Sequence, residues 1–101
     1  MDLSKLSDEQ IVDLVREGES ESYAEIVTRY KGKLLNYIRR LSNNCNDAED
    51  ILQDVFIKAY KNLYGFKVKK KFSSWIYRIA HNETVNYIKK HSRQKTISLE
   101  V

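Results

Sequence analysis

Apolar residues recur along most of the chain at spacings of three and four, the period of an amphipathic α-helix. The longest run begins near Ser20 or Ser22. Its apolar positions continue over five turns, at Tyr23, Ile26, Val27, Tyr30, Leu34, Tyr37, Ile38 and Leu41. A shorter helix is predicted to start at Ser7, which has capping-box spacing from Gln10, and to stop at Gly18. Two amphipathic helices are therefore expected in the first part of the chain.

A polar stretch, residues 42–46, interrupts this pattern, because short polar side chains compete for backbone hydrogen bonds. Asn46 is expected to cap a third helix, with Glu49 at the capping-box position. The buried stripe of this helix is predicted to comprise Ala48, Ile51, Leu52, Val55, Phe56, Ala59 and Leu63. Residues 65–71 then form a loop.

Ser73 or Ser74 is expected to cap a fourth helix that runs to about His91. Its core side is predicted to comprise Phe72, Trp75, Ile76, Ile79, Ala80 and Tyr87. The last ten residues are expected to be frayed or linker-like. The pattern therefore predicts an all-α fold, a compact bundle of about four helices.

Composition agrees with this prediction. The chain has 101 residues, no proline and three glycines, which favours one small domain of long helices and short loops. One cysteine, Cys45, excludes an intrachain disulfide and a cysteine-rich zinc site. No apolar run approaches the ~20 residues that cross a bilayer, and the N-terminus is acidic and polar. The expected location is therefore the cytoplasm, without membrane insertion.

Charge is divided unevenly along the chain. Residues 1–50 hold 7 basic and 11 acidic side chains, whereas residues 51–101 hold 11 basic and 3 acidic ones. The formal net charge of +4 is therefore −4 in the first half and +8 in the second. A basic segment either is simply solvated or binds a polyanion, and its neighbouring side chains decide between the two.

The third helix carries an acidic patch opposite its predicted core stripe. Asp50, Gln53, Asp54 and Ile57 follow the spacing i, i+3, i+4, i+7 and therefore share one face. Carboxylates and an amide around one exposed aliphatic side chain suit a surface for a protein partner. The alternative is that this face is only the solvated back of the helix.

The fourth helix and the loop before it carry a basic surface. The helix positions on one face are Arg78, Asn82, Val85 and Lys89, with Asn86 and Lys90 beside them and Arg93 and Lys95 beyond. The neighbouring loop and helix start contribute Phe66, Lys67, Lys69, Lys70, Lys71 and Trp75. Cations bind phosphates, asparagine binds base edges and aromatic rings stack on bases, so this combination favours single-stranded nucleic acid. The alternative is that Trp75 is a core residue and that the lysines are merely solvated.

Signals for catalysis are weak. Of the clustered carboxylates, only Asp50 and Asp54 share a face, and no histidine lies near them in sequence. His81 and His91 are too far apart for a paired-ligand motif, and Cys45 has no basic neighbour that would activate it. There is also no glycine-rich phosphate loop. We therefore predict no catalytic residues, no metal and no cofactor.

Two ordered motifs carry a specific resemblance. The segments DAEDILQDVFIKAY (47–60) and KFSSWIYRIAHN (71–82) resemble region 2 of the extracytoplasmic-function (ECF) sigma factors, a group of the bacterial sigma-70 family. The resemblance extends over residues of about 8 to 95. It implies a helical domain that binds the clamp helices of the RNA polymerase β′ subunit and melts and reads the −10 promoter element.

The resemblance assigns a role to each surface. It implies clamp binding by Asp50, Gln53, Asp54 and Ile57, supported from the side by Phe56 and Arg29. It implies that the loop 65–71 traps a base flipped out of the non-template strand, and that Asn82, followed by Asn86, helps to read it. Arg78, Lys89 and Lys90 would hold phosphates. An anti-sigma factor that masks these surfaces is a further expected partner.

The resemblance also sets the expected boundaries: residues 1–95 as region 2, and residues 96–101 as the start of a linker to an absent region 4 domain. Glu83 lies toward the predicted core side of the fourth helix, and Arg39 or Arg40 is a possible ion-pair partner. Two other hypotheses stay open, a helix-turn-helix regulator and a small metal-dependent nuclease. The long helices and the seven-residue loop before the last one argue against helix-turn-helix geometry.

Overall fold

The computed structural model describes residues 2–67 and 69–100, of which 93–100 are described by their backbone alone. Four α-helices form the bundle: α1 (Asp8–Arg16), α2 (Tyr23–Leu41), α3 (Ala48–Lys61) and α4 (Phe72–Glu100). Short 3-10 turns occupy Leu3–Lys5, Ser20–Ser22 and Leu63–Gly65, and the described residues form no strand. The predicted all-α bundle of about four helices is confirmed.

The helix signals in the first part of the chain are also confirmed. The Ser7 hydroxyl accepts from the Gln10 amide at 3.1 Å, and the Gln10 side chain accepts from the Ser7 amide at 2.8 Å. These bonds satisfy N–H groups that the first turn of α1 leaves free. Gly18 follows the helix at φ +109°, a left-handed conformation that favours glycine.

The starts of α3 and α4 differ from the predictions. Asp47, not Asn46, is the residue before α3, and it makes no capping bond; its carboxylate accepts instead from the Tyr87 hydroxyl at 2.8 Å. This hydrogen bond is the main cause that raises the pKa of Tyr87 to about 12. α4 starts at Phe72 rather than after Ser73 or Ser74. At both helix starts a tertiary hydrogen bond is present in place of the predicted local cap: Tyr87 binds Asp47 before α3, and the Phe72 amide of α4 donates to Glu9.

The end of α4 also differs from the prediction. The helix continues to Glu100, although it was expected to stop at about His91 and the last ten residues to be frayed. The side chains of Arg93 and Lys95, predicted to continue the basic face, lie outside the described residues, as does Val101 at the end of the predicted linker.

The core lies between α2, α3 and α4, with α1 packed against one end. Its fully buried members include Ile11, Ile26, Leu34, Ile38, Val55, Phe72 and Ile76. Leu52, Trp75, Ile79 and Tyr87, which were predicted for the core stripes, pack against it while remaining partly exposed. Thr84 is buried, and its hydroxyl donates to the Ala80 carbonyl at 2.8 Å, so no polar hydrogen is left unpaired there.

Arg29 on α2 holds the N-terminal segment in place. Its guanidinium donates to Glu25 at 2.8 Å, to Asp8 at 2.9 Å, and to the carbonyls of Leu3 and Leu6 at 2.8 Å each. The hydrogen bond with Glu25 is the main cause that raises the pKa of Arg29 further. Four acceptors from two segments therefore depend on this one side chain.

The Arg29→Met variant is expected to lower the free energy of unfolding by about 2 kcal/mol, because partly buried acceptors lose their donor. Urea denaturation measures this loss. Arg39→Met is the matched control: Arg39 is 45% exposed, lies 3.7 Å from Glu49 and should contribute less than about 0.5 kcal/mol. Equal stabilities of the two variants would show that the Arg29 network is not a structural tie.

Candidate nucleic-acid and partner interfaces

A pocket opens between the first turns of α4 and the loop that precedes it, residues 66–71, which we call the lysine loop. Its volume is about 440 Å³, and we call it the loop pocket. It is lined by Gly65, Phe66, Lys67, Lys70, Lys71, Ser74, Trp75 and Arg78. The predicted loop cations and Arg78 are therefore brought together around one concavity, and Lys69 is exposed on the same loop.

Aromatic side chains form one wall of the loop pocket. The ring centroids of Phe66 and Trp75 are 5.4 Å apart, and Phe72 lies 5.5 Å from Phe66 and 5.6 Å from Trp75. Phe72 is fully buried and Trp75 is half-buried. Phe66 was expected to present its ring to nucleic acid, but it is only 3% exposed. Trp75 therefore provides most of the accessible aromatic surface, while Phe66 backs the pocket.

The rim of the loop pocket is strongly positive. Lys67, Lys70, Lys71 and Arg78 are exposed, and among the described residues none of them forms an ion pair. Within the loop, the Lys70 amide donates to the Lys67 carbonyl at 2.9 Å, which closes a turn. Uncompensated cations around an aromatic wall attract an anion that carries a flat ring.

Asn82 and Asn86 lie in a second, shallower depression. Its volume is about 280 Å³, and its lining combines the end of α3 and the middle of α4: Lys58, Asn62, Ile79, Asn82, Glu83 and Asn86. Asn82 is therefore one helical turn beyond Arg78 and outside the loop-pocket lining. Exposed Lys89 and Lys90 continue the helix beyond this depression.

Glu83 forms its ion pair with a residue of α3. Its carboxylate lies 2.7 Å from the Lys58 ammonium group, so Lys58 takes the place that Arg39 or Arg40 was considered for. Glu83 sits on the side of α4 that meets α3, whereas Arg39 pairs with Glu49. Glu83 therefore links α4 to α3 at a position next to Asn82 and Asn86.

The predicted acidic patch is exposed on α3. Asp50, Gln53, Asp54 and Ile57 all lie at the surface, and Ile57 is 44% exposed. Beside the patch, an apolar groove of about 390 Å³ separates α3 from α2. It is lined by Tyr23, Val27, Gln53, Phe56, Ile57, Tyr60 and Lys61, and we call it the α2–α3 groove.

The α2–α3 groove has a rigid end. The Tyr23 hydroxyl donates to the Phe56 carbonyl at 2.7 Å, and its ring meets Tyr60 edge-on at 5.0 Å. Burial raises the pKa of the Tyr23 hydroxyl. Sequence reasoning missed the contributions of Tyr23, Val27 and Tyr60, because only the pairing of α2 with α3 brings them together.

Phe56 and Arg29 were expected to support the acidic patch from the side. Phe56 is 9% exposed and forms the floor of the groove beside Ile57. Arg29 instead binds the N-terminal segment and Glu25, and it is not among the residues that line the groove.

The residues that the structure describes offer neither a metal cluster nor a membrane-spanning helix. Among them, no three His, Cys, Asp or Glu side chains come together in a group that could bind a metal ion. None of the described helices combines the length and the apolar character needed to cross a bilayer.

Known proteins are similar to this chain in sequence. The sigma-70 region 2 family model matches residues 26–94. The chain is 40% identical over 87 residues to the ECF RNA polymerase sigma factor SigW of Bacillus subtilis, covering 86% of the chain and 46% of SigW. It is 33% identical over 90 residues to the ECF RNA polymerase sigma-E factor of Escherichia coli K12, covering 89% of the chain and 47% of that protein.

The fold matches that of a solved complex. An NMR structure of an engineered region 2 of sigmaE in complex with GTAAAA superposes with a TM-score of 0.81 and 36% identity, covering 89% of this chain and 94% of that one. The chain spans about half the length of the curated relatives it matches. It belongs to the sigma-70 region 2 family and is a region 2 domain of the ECF sigma-factor type.

Proposed function

We propose that this chain is the part of a sigma factor that directs bacterial RNA polymerase to promoters by binding the polymerase and the −10 element through separate surfaces. The loop pocket captures a base flipped out of the non-template strand, and the acidic patch on α3 binds the β′ clamp helices. The observation that carries the proposal is the loop pocket, where an aromatic wall and uncompensated cations meet. The likeness to a region 2 domain in complex with GTAAAA supports the choice of ligand.

Base capture requires compensation for lost stacking. Extruding a base costs a few kcal/mol, least where the strand is already single. Stacking on an aromatic side chain returns about 1–3 kcal/mol per base, and Trp75 offers such a surface. Lys70, Lys71 and Arg78 supply charge for the flanking phosphates. The domain would thus favour melted over paired DNA without any bond-making chemistry or cofactor.

The strand would leave the loop pocket along α4. Asn82 lies one turn beyond Arg78, and its amide can donate to and accept from a base edge. Asn86, Lys89 and Lys90 extend this path, with the asparagines at base edges and the lysines at phosphates. We therefore propose that Asn82 reads a base that lies next to the mouth of the loop pocket.

Polymerase binding would use the acidic patch and the α2–α3 groove together. Ile57 lies between Asp54 and the groove, so an aliphatic anchor is flanked by carboxylates on one side and apolar lining on the other. Clamp helices with basic and apolar side chains would fit this arrangement. An anti-sigma factor that covers the same surfaces remains a prediction from the family resemblance.

One experiment tests the proposal against its alternatives. Binding of the chain is measured to the single strand GTAAAA, to random single-stranded hexamers, to duplex DNA and to isolated β′ clamp helices, with metal chelated. We expect preferred binding of GTAAAA, steep weakening with salt, and binding of the clamp helices. Binding of duplex alone would favour a helix-turn-helix regulator, and cleavage that requires metal would favour a nuclease; either result would refute the proposal.

Asn82→Ala should weaken binding of the preferred single strand by about tenfold and binding of random hexamers by much less, because the variant removes a base-reading amide and leaves every phosphate ligand in place. Fluorescence anisotropy at fixed salt measures both affinities. Asn36→Ala, on the exposed surface of α2, is the matched control and should change neither. Equal reductions for the two kinds of strand would remove Asn82 from base reading.

A further inference from the structure

Helix α1 holds the start of the pocket loop. The Arg16 guanidinium donates to the Leu63 carbonyl at 2.6 Å and 3.2 Å, and also to the Phe66 carbonyl. It lies 5.9 Å from the centre of the Phe66 ring. In the opposite direction, the Tyr64 hydroxyl donates to the Arg16 carbonyl at 3.0 Å. One residue of α1 thus binds the backbone that leads into the loop pocket.

Helix α1 also holds the end of that loop. The Glu9 carboxylate accepts from the Phe72 amide at 2.8 Å, across 63 residues of sequence. The first N–H groups of a helix lack partners within the helix, and a carboxylate there is favourable. Glu9 therefore caps α4 from another element, at the residue where the loop becomes helix.

The loop needs such ties because it is self-repelling. Lys67, Lys69, Lys70 and Lys71 carry like charges within five positions, and each is exposed. A loop that is free in solution would have to be ordered when DNA binds, and that ordering would reduce affinity. Fixing both ends in advance removes part of this entropic cost.

We infer that Arg16 and Glu9 are positioning residues for base capture: they anchor the two ends of the lysine loop and so form the loop pocket before DNA arrives. The inference rests on the proposed function, since it concerns the same pocket. Both residues lie outside the segment 26–94 that the family model matches. Neither lines the pocket, so each acts through the loop.

The first test replaces Arg16. Arg16→Met should bind the GTAAAA single strand about tenfold more weakly, a loss of about 1.4 kcal/mol, because the loop must then be ordered on binding. Arg16→Lys should lie between wild type and Arg16→Met, because one ammonium group can serve only part of the double contact. Arg39→Met removes the same charge from an exposed site and is expected to change affinity less than about twofold.

A second measurement reports on the order of the loop pocket in the DNA-free protein. Trp75 is the only tryptophan and lines the loop pocket, so its fluorescence reports on this site alone. Acrylamide should quench Trp75 more efficiently in Arg16→Met than in wild type or Arg39→Met. The measurement is made in the absence of DNA, at a temperature where circular dichroism shows each variant to be folded.

Glu9 provides an independent test. Glu9→Gln keeps an oxygen that can accept from the Phe72 amide and should retain most of the affinity for GTAAAA, whereas Glu9→Ala should lose about fivefold or more. If Glu9 acted only as a negative charge that repels DNA, both variants would instead bind more tightly, which would overturn its positioning role.

A failure of the proposed function can be distinguished from a failure of the inference about Arg16 and Glu9. Wild type that shows no preference for GTAAAA over random hexamers would refute the proposed function itself. Wild type with that preference, together with folded Arg16→Met and Glu9→Ala variants that keep full affinity and unchanged Trp75 quenching, would overturn the inference alone.

Discussion

The double variant Lys70→Glu, Arg78→Glu is expected to bind the GTAAAA single strand at least about a hundredfold more weakly than wild type. Both side chains line the loop pocket, both are exposed, and neither forms an ion pair among the described residues. Their reversal therefore replaces attraction to phosphates by repulsion without breaking an interaction that stabilises the fold. The slope of log affinity against log salt should become shallower, by about 0.7 for each phosphate that the variant no longer neutralises.

The control for this variant must carry the same net charge. Lys5→Glu, Lys31→Glu also lowers the formal net charge from +4 by four units, but at exposed sites away from the loop pocket. It should cost less than about fivefold in affinity, through long-range charge alone. Similar reductions in the two double variants would mean that only net charge matters and that the loop pocket is not the binding site.

Ile57→Glu is expected to weaken binding of the isolated β′ clamp helices by about a hundredfold, while binding of GTAAAA stays within about twofold. Ile57 is 44% exposed at the edge of the α2–α3 groove, so the variant should fold. A carboxylate at the apolar centre would have to be desolvated on binding, and it would add to the charge of Asp50 and Asp54. Surface plasmon resonance on immobilised clamp helices measures the change in affinity.

Two further variants test whether the effect of Ile57→Glu is specific to the acidic patch. Asp54→Lys should also abolish clamp binding and leave oligonucleotide binding intact, since it inverts the charge of the patch. Asn36→Glu introduces a carboxylate at an exposed position of α2 and should leave the clamp affinity unchanged. Unchanged clamp affinity in Ile57→Glu and Asp54→Lys would remove the acidic patch from the polymerase interface.

Local pattern was sufficient for the bounds of the first two helices and for the exposed faces. The Ser7–Gln10 capping box, the turn at Gly18 and the α2 stripe depend on neighbours within a few residues, and all of them are present. The same holds for the exposure of Asp54 and Ile57, because opposite sides of an amphipathic helix follow from its period.

Contacts between distant segments could not be read in this way. Glu9 caps α4, Arg16 ties the loop, and Glu83 pairs with Lys58, each across 25 residues or more of sequence. Such partners depend on how the helices pack, and a single sequence does not specify helix packing. The capping box predicted at Asn46 is absent because α3 starts one residue later, with Asp47 before it, so Glu49 is the second helical residue and not the third; the Asp47 carboxylate accepts from Tyr87 instead.

Residues at the edge between core and surface were the hardest to assign. Phe66 follows the turn Leu63–Gly65 in a segment without helical period, and its 3% exposure results from packing against Phe72 and Trp75. Arg29 was placed at the side of the acidic patch by the family resemblance alone. Apart from Glu25 on the same helix, its acceptors lie in the N-terminal segment, 21 to 26 residues away, and only the fold reveals them.

The division of charge has a structural counterpart. The acidic patch on α3 and the cations around the loop pocket lie on different surfaces, as the proposed binding of polymerase and DNA by separate faces requires. Charge complementarity of this kind contributes to association rate and specificity. It also predicts that salt weakens the DNA complex much more than an interface anchored by Ile57.

Capture of a single base in the loop pocket is tested most directly by titrating the wild-type chain with GTAAAA and with derivatives that each lack one base, while recording Trp75 fluorescence. If the loop pocket holds a flipped base, one abasic position should lower affinity by about tenfold or more and abolish the Trp75 signal, whereas most others should have small effects. Small, equal reductions at every position, with the Trp75 signal retained, would contradict base capture in this pocket.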